Sequence, residues 1–235
     1  AERGSRGRTQ YVRRGHGISP IAPRTNRPMP LSFRLHDFPG WQGVLSPQLH
    51  HSTMHLPPHM TPVALDKAFR LLNHGPTVLV SARHGGVSNV MAAAWVCVLD
   101  YAPPRLTVVL DKSAKTRELV EQGGGMVIQV PNAAQVELTQ YLGSHSWHDE
   151  PGKLAQAGAE LFEVDGVDQP FVAGCSAWLA CELIPEAHNQ QTYDLFIANI
   201  TAAWADARVF HHGRWHFETA DPALRSLHHV SGGHY

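Results

Sequence analysis

The chain has 235 residues, with 19 Lys and Arg against 20 Asp and Glu and a formal net charge of −1. That length allows one or two domains with a sizeable core, and the near-neutral charge gives no global basic footprint for nucleic acid. No stretch approaches the roughly 18 consecutive apolar residues of a membrane span, and three cysteines without a C-x-x-C pair (Cys97, Cys175, Cys181) fit a reducing, cytoplasmic setting better than a disulfide framework.

Charge and proline are unevenly spread. Residues 1–60 hold eight Arg, no Lys, one Glu and one Asp, a net +6 that leaves −7 for the remainder. They also hold eight of the 17 prolines and show no sustained periodicity, which reads as a disordered basic extension. A single globular domain is expected over 61–235. Its first segment, "TPVALDKAFRLLNHG", spaces Val63, Phe69, Leu71 and Leu72 in a helical way and stops at Gly75. Three strands are expected over 76–112. In the first, Val78 and Val80 oppose Leu79 and Ser81, and Gly85–Gly86 signals a hairpin. In the third, Leu106, Val108 and Leu110 share one face. "SAKTRELVEQGG" then predicts a helix with Ser113 as N-cap and Gly123 at its end. "GMVIQVP" reads as a strand, "AAQVELTQYLGS" and "GKLAQAGAELF" as helices. "AWLACELIPEA" and "YDLFIANITAAWADA" read as an antiparallel strand pair. Strands outnumber helices and sit close together, so the expected fold is mainly β with peripheral helices, a β-barrel rather than a doubly wound sheet.

Two stretches carry chemistry. In "GGVSNVMAAAWVC", three alanines stand where valine or isoleucine would hold a strand better. Ala92, Ala93 and Ala94 leave backbone amides accessible to a flat, wide ligand, with Asn89 as a polar entrance and Met91 as adaptable packing. A strand crossing a crowded core explains the same alanines without any ligand. In "DKSAKTREL", Lys112, Ser113, Lys115, Thr116 and Arg117 gather where a strand hands over to a helix. Free N–H groups and the positive end of the helix dipole make such a start an anion site. Cations there oppose the dipole unless an anion is bound, although a solvated first turn with i,i+4 charge pairs also fits. A phosphate site close to a flat-ring site points to a mononucleotide.

Asn89, Met91, Ala92, Ala94 and Trp95, then Pro103, Pro104 and Leu106, then Lys112, Lys115 and Thr116, follow one another in an order and spacing that resembles the flavin-reductase-like family of FMN-binding split barrels. A weaker likeness in "GKLAQAG" and "CSAWLACEL" extends it to about residue 210. The resemblance implies a split β-barrel and an FMN (or FAD) site. Ser88, Asn89 and the backbone of Val90, Met91, Ala92, Ala93 and Ala94, with Trp95, would meet the ring and ribityl groups. Lys112, Ser113, Lys115 and Thr116 would hold the phosphate. It further implies NAD(P)H as co-substrate, flavin reduction as the activity, a homodimer, and a flavin-dependent oxygenase as possible recipient. A non-enzymatic, flavoredoxin-like electron carrier is the alternative. Many members have Gly-Asp-His before the strand that starts near Leu195, with the His near the flavin. Here the text is Thr192-Tyr193-Asp194, so no residue inherits that role and the catalytic residues stay unassigned.

Other chemistries fit poorly. Seventeen histidines include adjacent pairs at His50–His51, His211–His212 and His228–His229, but no H-E-x-x-H and no Cys pair at zinc spacing. No metal is expected. Cys97 reads as a buried structural thiol inside a strand, and Trp147 and the closing "SGGHY" as a flap or terminal arm over a partner subunit, with plain packing an equal alternative.

Overall fold

The computed structural model describes residues 56–235. The expected extension therefore falls outside the described residues except for 56–60. Within that short piece, strand β1 (Met60–Pro62) already belongs to the barrel: Met60 is buried and pairs with Asp206.

The segment expected to be one helix is a short helix α1 (Leu65–Ala68) and a 3-10 turn at Phe69–Leu71. Strands β2 (Val78–His84) and β3 (Val87–Ala93) then form a hairpin. Gly85 and Gly86 have φ of 57° and 79°, the two positive values that a tight two-residue turn requires. Strands β4 (Val96–Tyr101) and β5 (Pro104–Val109) form a second antiparallel pair. The expected three strands are thus four, because the chain breaks at Ala94–Trp95. Helix α2 (Lys115–Gly123) leads through Gly124, at φ 69°, into β6 (Gly125–Val130). Helix α3 (Val136–Ser144) is followed by a single turn, α4 (Lys153–Gln156). Leu161 and Phe162, expected to be helical, open strand β7 (Leu161–Val164), which pairs with β8 (Val167–Val172) as a separate ribbon. Strand β9 (Ala177–Ile184), helix α5 (Ala187–Tyr193) and strand β10 (Leu195–Asp206) follow, and β9 and β10 are antiparallel as expected. A small ribbon, β11 (Phe210–His211) with β12 (Arg214–Trp215), lies near the end.

The main sheet runs β3-β2-β6-β9-β10-β5-β4, with β1 added on β10. Its two edge strands, β3 and β4, are consecutive in the chain and separated by only Ala94 and Trp95. In a flat sheet, six strand spacings would put these edges roughly 29 Å apart. Three residue steps reach at most about 10–11 Å, so the sheet curls until its edges converge at the Ala94–Trp95 link. The result is a barrel that is split along the β3/β4 seam, and the alanine run lies on that seam.

The alternation in the sequence decides which side chains fill the barrel. Val78, Val80 and Ala82 of β2 join Ala93, Leu106, Val108, Leu110, Ile128 and Phe196 in one core cluster. Leu79 and Val90 point the other way, to a second cluster with Leu142, Phe171 and Trp178. Strand β6 is buried along its whole length because both clusters pack on it. The β7–β8 ribbon is fastened to the sheet by polar contacts: Gln129 donates to Ser81, Ser81 donates to the Pro170 carbonyl, and the Val172 amide donates to Gln129.

Cys97 departs from expectation. It is exposed, because β4 is an edge strand and Cys97, Leu99 and Tyr101 share its solvent face. Cys175 and Cys181 are buried, and burial pushes both thiols well above their ordinary pKa.

Candidate functional site

Helix α2 closes one side of the seam. Asp111 sets up its start: the Ser113 amide and hydroxyl both donate to Oδ1, at 2.8 and 2.6 Å. Those bonds hold the Asp111 carboxyl below the usual carboxylate range, with Arg117 and Lys112 adding to the effect. Ser113 is thereby taken up in the preceding turn. It is not the N-cap, as expected from sequence; that position is Ala114, which has no side-chain cap. The amides of Lys115 and Thr116 have no protein acceptor among the described residues. Thr116 is fully buried and accepts from Asn89 Nδ2 at 3.0 Å. Asn89 is itself buried, and its Oδ1 has no partner. Lys115 donates to Glu118 at 2.6 Å, which holds the Glu118 carboxyl down, and it lies 5.0 Å from the centre of the Trp147 ring.

These groups line a cavity of about 250 Å³, together with Met91 and Ala92 of β3, Leu142–Trp147 and Lys153. A second cavity, of about 400 Å³, lies along the seam. Met91 to Trp95, Val109, Asp111, Tyr193, Asp194 and His229 form its walls. Met91, Ala92 and Asp111 line both, so the two cavities adjoin. A third space of about 190 Å³ runs from Ala92–Ala94 to Tyr235 in the terminal arm.

The structure brings together most of the residues read from the sequence, but not all. Asn89, Met91, Ala92, Ser113, Lys115 and Thr116 share the first cavity; Ala93, Ala94 and Trp95 line the second. Ser88 lines neither, its hydroxyl accepting from Arg83 Nε at 3.1 Å. Val90 is fully buried in the outer core cluster. Lys112 stands outside the first cavity, exposed and 3.7 Å from Asp194. The alanines divide by strand parity. Ala93 packs into the barrel core, whereas Ala92 and Ala94 are more open. Ala92 also lies under Gly143, where an added Cβ would come within 3.1 Å of the Ala92 Cβ. Its small size therefore serves the approach of α3 as well as the cavities.

Lys153, the loop Ser144–Trp147 and Tyr193 were missed as site residues. Lys153 gave no signal because a lysine in "GKLAQAG" reads as a solvated helix residue. Tyr193 is exposed at the rim, next to Asp194, whose φ is 55°. Buried Arg117 holds Asp194 at 2.5 Å and also donates to the Gln190 and Leu110 carbonyls. The Thr192-Tyr193-Asp194 stretch is thus rigidly tied to the start of α2. Among the described residues, no group of three or more His, Cys, Asp or Glu is placed to hold a metal ion.

A split barrel with a cation-flanked helix start beside a shelf of small residues is the architecture of a mononucleotide-binding barrel. The chain belongs to the flavin-reductase-like family: the profile of the Flavin reductase like domain matches residues 70–220. It is 41% identical to the uncharacterised protein YddH of Escherichia coli (strain K12) over 175 residues, covering 73% of this chain and 91% of that one. It is similar to the crystal structure of an FMN-binding domain of a flavin reductases-like enzyme from Shewanella baltica OS155. That likeness has a TM-score of 0.74 and 62% identity, over 76% of this chain and 94% of the other. Flavoredoxin of Desulfovibrio vulgaris (Miyazaki F) shares the fold, with a TM-score of 0.55 at 24% identity over 76% and 86% of the two chains.

Proposed function

We propose that this protein binds FMN across the β3/β4 seam and uses it to take electrons from NADH or NADPH. The observation that carries the reading is that the two cavities adjoin at Met91, Ala92 and Asp111. One end offers unpaired helix amides, cations and an orphaned amide oxygen; the other offers a flat shelf of small residues. A phosphorylated tail and a broad ring need those two surfaces in that order. The FMN-binding description of the Shewanella baltica structure agrees with it.

Bound FMN supplies hydride acceptance from a reduced nicotinamide. The protein's part is to bind and orient. The Lys115 and Thr116 amides and the Lys115 ammonium take the phosphate. Asn89 Oδ1 accepts from a hydroxyl or ring N–H. Ala92 and Ala94 leave room for the ring to meet the β3 backbone. No side-chain acid or base is required, consistent with unassigned catalytic residues.

The electron-carrier reading is kept alive by the rim. Tyr193 and the locked Asp194 stand where many relatives have a histidine-bearing turn, and they offer no comparable group to a nicotinamide. One experiment separates the readings. The full chain is titrated with FMN by fluorescence quenching, then mixed anaerobically with NADH or NADPH. The reductase reading predicts FMN-dependent oxidation of one nucleotide over many turnovers. The carrier reading predicts tight FMN binding with no such turnover. Absence of FMN binding refutes both.

Trp95, Leu99 and Tyr101, 75%, 52% and 66% exposed, form an apolar rim along edge strand β4 beside the shelf. A second copy covering this rim is part of the proposal, as is delivery of electrons to an oxygenase. The Leu99→Glu, Tyr101→Glu double variant should then sediment as a monomer. A wild type that is already monomeric at micromolar concentration contradicts the dimer. Among the described residues no helix is long and apolar enough to cross a membrane, and the cytoplasm is the proposed location.

A further inference from the structure

Lys153 stands at the start of α4 and is 2% exposed. Its Nζ donates to the carbonyls of Leu142, at 3.2 Å, and His145, at 2.8 Å. An ammonium has three N–H donors, and no third acceptor is present among the described residues. Nor does any carboxylate of those residues lie within 4.0 Å of it to form an ion pair. Burial pushes its pKa down, with Glu150 pulling weakly the other way. A buried charge without a counter-ion is costly and is ordinarily paired or solvated.

Capping the end of α3 explains part of this. Basic side chains do bond the last carbonyls of helices, but that role is met equally by a lysine whose head stays in water. It explains neither the burial nor the spare donor. The cavity that Lys153 lines also holds the free amides at the start of α2, donors like the ammonium itself. Lys153 thus keeps one spare donor, and it lines the same cavity as the free α2 amides.

We infer that Lys153 is a direct ligand of a phosphate monoester, in the cavity it shares with the α2 amides. The inference rests on the FMN reading and deepens it. A monoester carries about −1.5 to −2 charge at pH 7, which Lys115, already bonded to Glu118, does not balance alone. The same ammonium ties the Leu142 and His145 carbonyls, so phosphate binding also fixes the loop that carries Trp147 over Lys115. Lys153 therefore reads the phosphate and holds the loop that closes on it.

The test compares ligands with and without the phosphate. FMN, riboflavin and inorganic phosphate are titrated into the full-length wild type, Lys153→Met and Lys153→Arg. Lys153→Met should weaken FMN at least tenfold, leave riboflavin within threefold, and abolish competition by inorganic phosphate. Lys153→Arg should restore most of the preference for FMN over riboflavin. Equal losses for both flavins, or an unchanged preference, would overturn the inference and leave Lys153 as a helix cap. Should Lys153→Met fail to fold, lysine Nζ NMR on the wild type decides. The slowly exchanging ammonium, the one lysine buried among the described residues, should shift with FMN and with inorganic phosphate but not with riboflavin. No shift with FMN overturns the inference. A wild type that binds neither flavin refutes the flavin reading itself; a wild type that binds FMN while Lys153→Met keeps its preference refutes only the role of Lys153.

Discussion

The two ends of the site are built differently. At the α2 end, nearly every group has a fixed place: Asn89 on Thr116, Ser113 on Asp111, Lys115 between Glu118 and Trp147, Lys153 on α3. At the seam end, Met91 to Ala94 and Val109 give a mostly apolar wall beside Asp111, Asp194 and His229, and Trp95 and Tyr193 are exposed. The first end is lined by preorganised polar groups, which set its specificity. The second is open, so what it binds depends on what lies over it. Affinity should therefore reside in the tail of the ligand, and selectivity among electron donors or acceptors in whatever covers the ring.

The sharpest way to break this contrast is charge reversal at the closed end. Lys115→Glu removes a charge-assisted contact and sets two acids side by side with Glu118. At about 1.5–3 kcal/mol for the contact, FMN affinity should fall roughly 10- to 150-fold. Riboflavin should lose much less; equal losses would place the phosphate elsewhere.

At the open end the effect should depend on parity. Ala94→Val should leave the melting temperature of the ligand-free protein unchanged or raised, and weaken FMN by roughly 5- to 150-fold, the equivalent of about 1–3 kcal/mol of overpacking. Ala93→Val points into the core and should lower stability first. Paired melting and binding curves check both. Unchanged FMN affinity in Ala94→Val would leave only packing to explain the alanines.

Away from both ends, His74 gives a smaller, ligand-independent effect. Burial, assisted by His228, lowers its pKa from 6.5 to about 4. Its ring packs against the stacked pair Trp215 and Phe217, with Nε2 bonded to Ser226 at 3.0 Å. The unfolded chain then binds a proton that the folded chain refuses, so stability is present above pH 6.5 and is lost as pH falls toward 4. The loss should be roughly 1–2 kcal/mol after allowing for partial exposure. Denaturant midpoints between pH 7 and 4 measure it, and His74→Phe should flatten the slope in that window. An unflattened slope would assign it to other groups. The smallest expected effect is from truncation: a chain beginning at Met54 should keep its melting temperature and flavin affinity. Loss of folding would show that residues before 54 contribute to the domain.

Much of this architecture could be read from the sequence, and the misses share a cause. Alternation in Val78–Val80 and Leu106–Leu110 identified barrel-facing residues because burial on one face enforces a period of two. Gly85–Gly86 identified a hairpin because its turn needs positive φ. The break at Ala94–Trp95 was hidden because apolar text runs straight through it; only pairing shows that the strand leaves one sheet edge for the other. Cys97 was misplaced for the same reason, since strand text does not distinguish an edge from a centre. Leu161 and Phe162 followed a helical turn too short to persist and were captured by Phe171 and Val172 across the ribbon. Ser113 has the right chemistry for a cap, but Asp111, two residues earlier, competes for both its donors. The site shows the same division. Its local parts, Asn89 to Trp95 and Ser113 to Thr116, were legible as short patterns. Lys153 was not, because its burial comes from α3, loop and strand closing around it.

The central claim is that a flavin lies across the β3/β4 seam with its phosphate at the start of α2. A crystal structure of the full chain grown with FMN tests it most directly. The account predicts the phosphate within hydrogen-bond distance of the Lys115 and Thr116 amides and the ring against Ala92 and Ala94. An FMN bound away from the seam, or reversed with its ring at α2, would contradict it.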